Sequence, residues 1–128
     1  MNTDIGFREM FRQRLKQFAL RIIKLFQALP KTGEAQVIGK QLLRSGTSVA
    51  ANYRAACRAR SGREFFSKIS IVVEEADETL FWLELLLESG ILSRKKMNLI
   101  IIEASEILKI VSTARKNTTK NEPYQKKS

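Results

Sequence analysis

A chain of 128 residues with 44% apolar and 28% charged side chains has room for one domain with a sizeable core, too little for two, and excludes a disordered chain. Its 23 basic and 13 acidic residues leave a net charge of +10, which favours phosphate-bearing partners or anionic surfaces and says nothing about fold. It contains no histidine, which excludes the Glu-x-x-His metal centres of helical bundles, Ser-His-Asp triads and His-activated cysteines.

Between Phe7 and Leu29, the residues Phe11, Leu15, Phe18, Ile22, Leu25 and Leu29 recur at spacings of four and three, the seam of a helix lying nearly parallel to its neighbours. Pro30 lacks an amide proton and disfavours helical geometry at Leu29, so the first helix is predicted over 7–29, behind a flexible segment 1–6. After the turn Pro30 to Gly33 a second helix is predicted over 34–60, with Ile38, Leu42, Val49, Tyr53 and Ala56 inward. Gly39 and Gly46 each cost about 1 kcal/mol in its interior, which either a close helix crossing or a kink explains.

Ser61 and Glu64 form a capping-box pattern that opens a third helix over 61–89, with Gly90 placed to end it in a left-handed cap. Phe66, Ile69, Val73, Ala76, Leu80, Leu83 and Leu87 make its inward stripe. A second apolar set, Phe65, Val72, Phe81, Trp82, Leu85 and Leu86, widens the stripe beyond the needs of one core and suggests a partner subunit. Ser93 caps a fourth helix over 94–116 with Met97, Ile101, Ala104, Leu108 and Val111 inward, and residues 117–128 read as a disordered basic tail. Four long helices with short connections predict an all-α, up-down-up-down antiparallel four-helix bundle.

The single Cys57 has no intramolecular partner and falls among alanines, the pattern of an inert thiol in a reducing compartment. No secretory leader pattern opens the chain, and apolar runs such as Leu99 to Ile102 fall far below the ~20 residues of a bilayer span. A cytoplasmic protein without membrane association is the expectation. There is no GxxxxGK[ST] phosphate loop, and no catalytic, metal or cofactor site is expected.

Charge is segregated along the chain. Residues 1–60 carry 12 basic and 3 acidic side chains, residues 61–90 carry 2 and 7, and residues 91–128 carry 9 and 3. A nucleic-acid surface should therefore exclude the acidic third helix. The candidate contacts are Arg8, Arg12, Arg14, Arg21, Arg44, Arg54, Arg58, Arg60 and Arg63, together with the basic tail. Aromatic residues are not interleaved among these arginines, so recognition should run through phosphates, with weak sequence preference and steep salt dependence.

The stretches Gln41 to Ser48, Ala51 to Arg54, Arg58 to Ser61, Glu64-Phe65, Lys68, Glu74 to Thr79 and Trp82 to Leu86 resemble the four-helix-bundle family encoded by intervening sequences in bacterial 23S ribosomal RNA genes. The resemblance covers nearly the whole helical region. It implies a bundle that associates as a ring, most often a homopentamer. It also implies kinship with the accessory protein of diversity-generating retroelements, a basic pentamer that binds nucleic acid and works with a reverse transcriptase. The motif residues Gln41, Arg44, Ser45, Ser48, Asn52, Ser61, Glu64, Glu75 and Glu78 are read as structural, with Arg44 and Asn52 as alternatives for touching nucleic acid or a partner protein. Where the family usually has Glu, this chain has Ala55, a loss of counter-charge for a neighbour such as Arg44 or Arg58. Two further roles fit the same pattern, an adaptor for a nucleoprotein partner such as a reverse transcriptase, and a passenger without activity of its own.

Overall fold

A computed structural model describes residues 3–120, with side chains from 6 to 118. Among the described residues there are four helices and no strand: α1 (Thr3–Gln27), α2 (Gly33–Cys57), α3 (Gly62–Glu88) and α4 (Arg94–Lys120). Each is packed against the next in sequence, α1 on α2, α2 on α3 and α3 on α4.

The glycines decide how α1 meets α2. A Cβ on Gly39 would come within 2.4 Å of Leu29 and 3.0 Å of Phe26, and one on Gly46 within 3.1 Å of two Ile22 carbons. α2 is continuous through both positions, so close approach, not a kink, accounts for them. Phe11 meets Tyr53 edge-on farther along the same seam, at 5.0 Å between ring centroids. Pairing 26 with 39, 22 with 46 and 11 with 53 sets the two helices in opposite directions.

The core holds Phe11, Leu15, Phe18 and Ile22 from α1, Leu29 from the connection that follows it, and Leu42, Val49, Tyr53 and Ala56 from α2. α3 contributes Phe65, Ile69, Val72, Ala76, Leu83 and Leu86, and α4 contributes Met97, Ile100, Ala104, Ile107 and Val111. The predicted stripes of α1 and α2 match this core closely, while those of α3 and α4 are rotated. On α3, Phe66, Val73, Leu80 and Leu87 lie at the edge of the core, and Phe65, Val72 and Leu86 take the central places. On α4, Ile100 and Ile107 replace Ile101 and Leu108. Both helices carry two apolar rows, and only the neighbour's position decides which turns inward. Polar groups in this core are satisfied: the Thr79 hydroxyl lies 3.0 Å from Ser45 Oγ across the α2–α3 seam and 2.7 Å from the Glu75 carbonyl.

Helix ends follow the capping chemistry with three corrections. Ser61 Oγ accepts from the Glu64 amide at 3.0 Å, and Gly90 adopts φ +80 after α3, both as predicted. The Glu64 carboxylate accepts from the Arg60 amide at 2.9 Å. α2 stops at Cys57, with the Arg58 amide bonded back to Ala55 and Ala56, because the chain must leave the helix to reach the extended Ser61. Arg58 and Arg60 consequently sit in the connection. α1 starts at Thr3, ahead of the expected Phe7, and α4 runs past Lys116 to Lys120, its last described turn tied by Thr118 Oγ1 donating to the Ala114 carbonyl at 2.9 Å. The remainder of the expected tail, residues 121–128, lies outside the described residues, as do residues 1–2 of the expected flexible start.

α1 and α4 meet differently from the other neighbours. Among the described residues no Cα atoms of the two helices come within 8 Å, and Arg14 and Arg21 reach across to Glu103 and Glu106. Two grooves result, one beside Leu25, Leu92 and Leu99, the other beside Phe7, Tyr53 and Phe65.

Candidate nucleic-acid interface

Where a basic side chain can meet phosphate depends on which carboxylates already hold it. On α1, Arg14 donates to Glu106 at 2.6 Å and to Glu103 at 3.3 Å, and Arg21 reaches Glu103 as well. The Glu106 hydrogen bond outweighs the cost of burial and, with Glu103, raises the Arg14 guanidinium above its ordinary value. Across the α2–α3 seam Arg44 pairs with Glu75 at 3.2 Å and with Glu78, while Gln41 accepts from Arg44 Nε at 3.2 Å. The Trp82 indole N–H donates to Glu78 at 3.0 Å and extends that network onto the outer face of α3. Arg60 lies 3.9 Å from Glu64. Of the nine candidate arginines, Arg14, Arg21 and Arg44 are therefore matched by acids across helix seams.

The opposite flank of α1 keeps its cations. Arg12 and Lys16 from α1, Arg54 from the last turn of α2 and Arg58 just beyond it line a cleft of about 360 Å³ whose remaining walls include Thr47, Ala50 and Ala51. Arg12 pairs with Glu9, one turn earlier on its own helix. Among the described residues Lys16, Arg54 and Arg58 have no ion pair, and neither does Arg63 in the first turn of α3. Alanines give the cleft low walls, so an extended polyanion can come close to all four charges, and like charges gathered in a concavity focus the field.

At the end of the bundle where α1 starts and α4 finishes, the second groove, of about 740 Å³, opens beside this cleft. The Arg8 guanidinium stands 4.9 Å from the centroid of the Phe65 ring, and Phe7, half exposed, stacks on Phe11 at 5.7 Å and 12°. Burial, with Cys57 adding, pushes the Tyr53 phenol well above its ordinary range and keeps it neutral.

The expected oligomer surface divides in two. Phe65 and Val72, 6% and 0% exposed, are parts of the subunit's own core and have no area to offer a second copy, because α3 is rotated as described above. Phe81 is half exposed and meets the partly buried Trp82 edge-on at 4.9 Å, with Leu85 one turn along at the surface margin. Among the described residues no cluster of acidic, Cys or His side chains could hold a metal, and no helix is long and apolar enough to cross a membrane.

The family model described as 23S rRNA-intervening sequence protein matches residues 10–113. This chain belongs to that family. A crystal structure at 1.70 Å of a protein of unknown function from the S23 ribosomal protein family of Bacteroides thetaiotaomicron VPI-5482 is similar to it, with TM-score 0.78 and 36% identity over 85% of this chain and 97% of that one. A comparison with curated proteins finds no match.

In this member of the 23S rRNA-intervening sequence protein family, the motif residues do recognisable structural work. Arg44, Glu75 and Glu78 tie α2 to α3 while Gln41 accepts from Arg44 along α2, Ser45 meets Thr79 within that seam, and Ser61 and Glu64 cap α3. Asn52 bonds back along its own helix, to the Ser48 carbonyl at 2.9 Å and to Ser48 Oγ at 2.8 Å, and so makes no cross-helix bond of its own there. Arg44 has Glu75 and Glu78 although position 55 is Ala, whereas Arg58 has no ion pair among the described residues. Lys16, which the sequence places on the basic face of the first helix but not among the candidate contacts, completes the cleft, and Phe7 was not a candidate although its place one residue before Arg8 and four before Phe11 carried the signal.

Proposed function

We propose that the protein is a non-enzymatic, cytoplasmic bundle of up-down-up-down topology that holds RNA or DNA by its phosphates, with Arg12, Lys16, Arg54 and Arg58 as the contact surface. The observation that carries this reading is the α1–α2 cleft, where four cations converge and three have no acidic partner among the described residues. The cations that a charge count alone would add, Arg14, Arg21 and Arg44, are neutralised from within. Neutralising about four phosphates of a duplex gives a slope of log affinity against log salt of roughly −3.6, shallower than the roughly −5 of a six-phosphate surface. Fluorescence anisotropy with labelled duplex and single strands of scrambled sequence, across a series of salt concentrations, reads that slope directly. Affinity that stays constant over the series contradicts the proposal.

A second feature supports assembly. Phe81, Trp82 and Leu85 present apolar surface on a helix that is otherwise acidic outside, while the cleft is basic, and a ring, pentameric as the family resemblance implies, would bring several clefts to one polyanion. The same patch would serve an adaptor that docks a protein partner such as a reverse transcriptase. Trp82→Ala should lower the mass seen by sedimentation while leaving the helical signal of each subunit in place. A variant that keeps its full mass and melts earlier shows Trp82 to be core.

A further inference from the structure

The groove between the start of α1 and the end of α4 has a chemistry that phosphate contact alone does not use. Its volume of about 740 Å³ falls within the range of small-ligand sites. Phe7 forms one edge, with one face stacked on Phe11 and half of its surface exposed. Behind it the Arg8 guanidinium lies over the Phe65 ring, a second flat surface. From α4, Lys109 adds a cation, and Thr113 and Asn117 add hydroxyl and amide groups. An exposed aromatic ring, a guanidinium held over a second ring, a flanking ammonium and polar groups able to meet varied hydrogen-bonding edges form the set that receives an unstacked nucleobase. The groove exists because α1 and α4 stand apart, and it lies one helical turn from Arg12 in the basic cleft.

We propose that this groove takes an unpaired base of a single-stranded nucleic acid, stacked on Phe7 and Arg8, with neighbouring phosphates held by Lys109 and by the α1–α2 cleft. The inference rests on the nucleic-acid reading above and deepens it: the preferred ligand is a strand with accessible bases, not a closed duplex. A hydrophobic pocket for an uncharged ligand would not need the two cations. A duplex keeps its bases stacked inward and cannot enter.

The probe is a single strand carrying one 2-aminopurine, made as RNA and as DNA, with the matching duplexes and the free nucleotide as further arms. Binding to the intact protein should quench the single-strand fluorescence, and single strands should bind more tightly than duplexes of equal length. The Phe7→Ala variant should lose roughly 5- to 150-fold in single-strand affinity and the quench with it, while duplex affinity holds. The Phe7→Tyr variant should restore both. The RNA and DNA arms report which sugar the groove prefers, and quenching by the free nucleotide but not by a strand would overturn the proposal. Equal binding of strands and duplexes with no effect of Phe7→Ala overturns it too, while leaving the phosphate reading intact. A lower sedimenting mass for Phe7→Ala would assign the groove to contact between copies and overturn it as well. No binding of any nucleic acid would overturn both readings together.

Discussion

Helix α1 has two flanks, and they handle charge in opposite ways. Toward α2, Gly39 and Gly46 let the backbones close until Ile22 and Leu29 fill the seam, and the basic residues above that seam are left facing solvent. Toward α4 the backbones stand off, and Arg14 and Arg21 stretch across to Glu103 and Glu106. α2 carries a single acid, Glu34 in its first turn, so the cations of the first flank stay available. α4 presents Glu103 and Glu106 and draws the cations of the second flank into ion pairs, as Glu75 and Glu78 of α3 do with Arg44 across the close-packed α2–α3 seam. Arginines stand on both flanks, and the carboxylates of the facing helix decide whether a given arginine can meet a ligand.

The largest expected effect comes from reversing charge on the close-packed flank. Replacing Arg54 and Arg58 together by Glu should weaken nucleic-acid binding at low salt by roughly 100-fold, on a scale of about 1.5 kcal/mol for each charge-assisted contact, with the melting temperature nearly unchanged. Anisotropy and circular dichroism on the same sample check the two halves of that statement. Next is the seam itself. Gly46→Val forces a branched side chain against two Ile22 carbons already 3.1 Å from a mere Cβ, and should cost about 2 kcal/mol in urea denaturation. If it is neutral, the seam is looser than the closed flank requires.

The smallest effect belongs to the open flank. Arg14→Ala removes partly exposed bridges to Glu103 and Glu106 and should cost about 1 kcal/mol or less, while leaving nucleic-acid affinity within about twofold. A stability loss that grows at high salt would run against an ion-pair origin, since added salt screens such pairs.

Much of the fold was legible in the sequence, the contrast between the two flanks was not, and the reasons are physical. The seams of α1 and α2, the Ser61 cap and the Gly90 stop follow from periodicity and capping chemistry, which act over a few residues. The inward row of α3 did not, because Phe65 and Phe66 both begin plausible apolar rows and the choice between them is made by α2 and α4. The end of α2 was missed because Arg58-Ala59-Arg60 contains no helix breaker, and tertiary geometry ends the helix there. The fold brings the candidates Arg12, Arg54 and Arg58 to one cleft, but separating them from Arg14 needs Glu106, 92 residues away in the chain. The same distance effect brought Phe65 beside Arg8 and so placed an aromatic ring among arginines that looked free of them.

The central claim is that the cations of the α1–α2 cleft, and not those of the α1–α4 seam, hold polyanions. Measuring the salt slope of duplex binding for wild type, for Lys16→Ala with Arg54→Ala and Arg58→Ala, and for Arg14→Ala with Arg21→Ala tests it directly. The account predicts that the cleft variant loses about 3 in slope, about one for each cation removed, while the seam variant keeps the wild-type slope. A seam variant that loses slope as the cleft variant should, or a cleft variant that keeps it, would contradict the account.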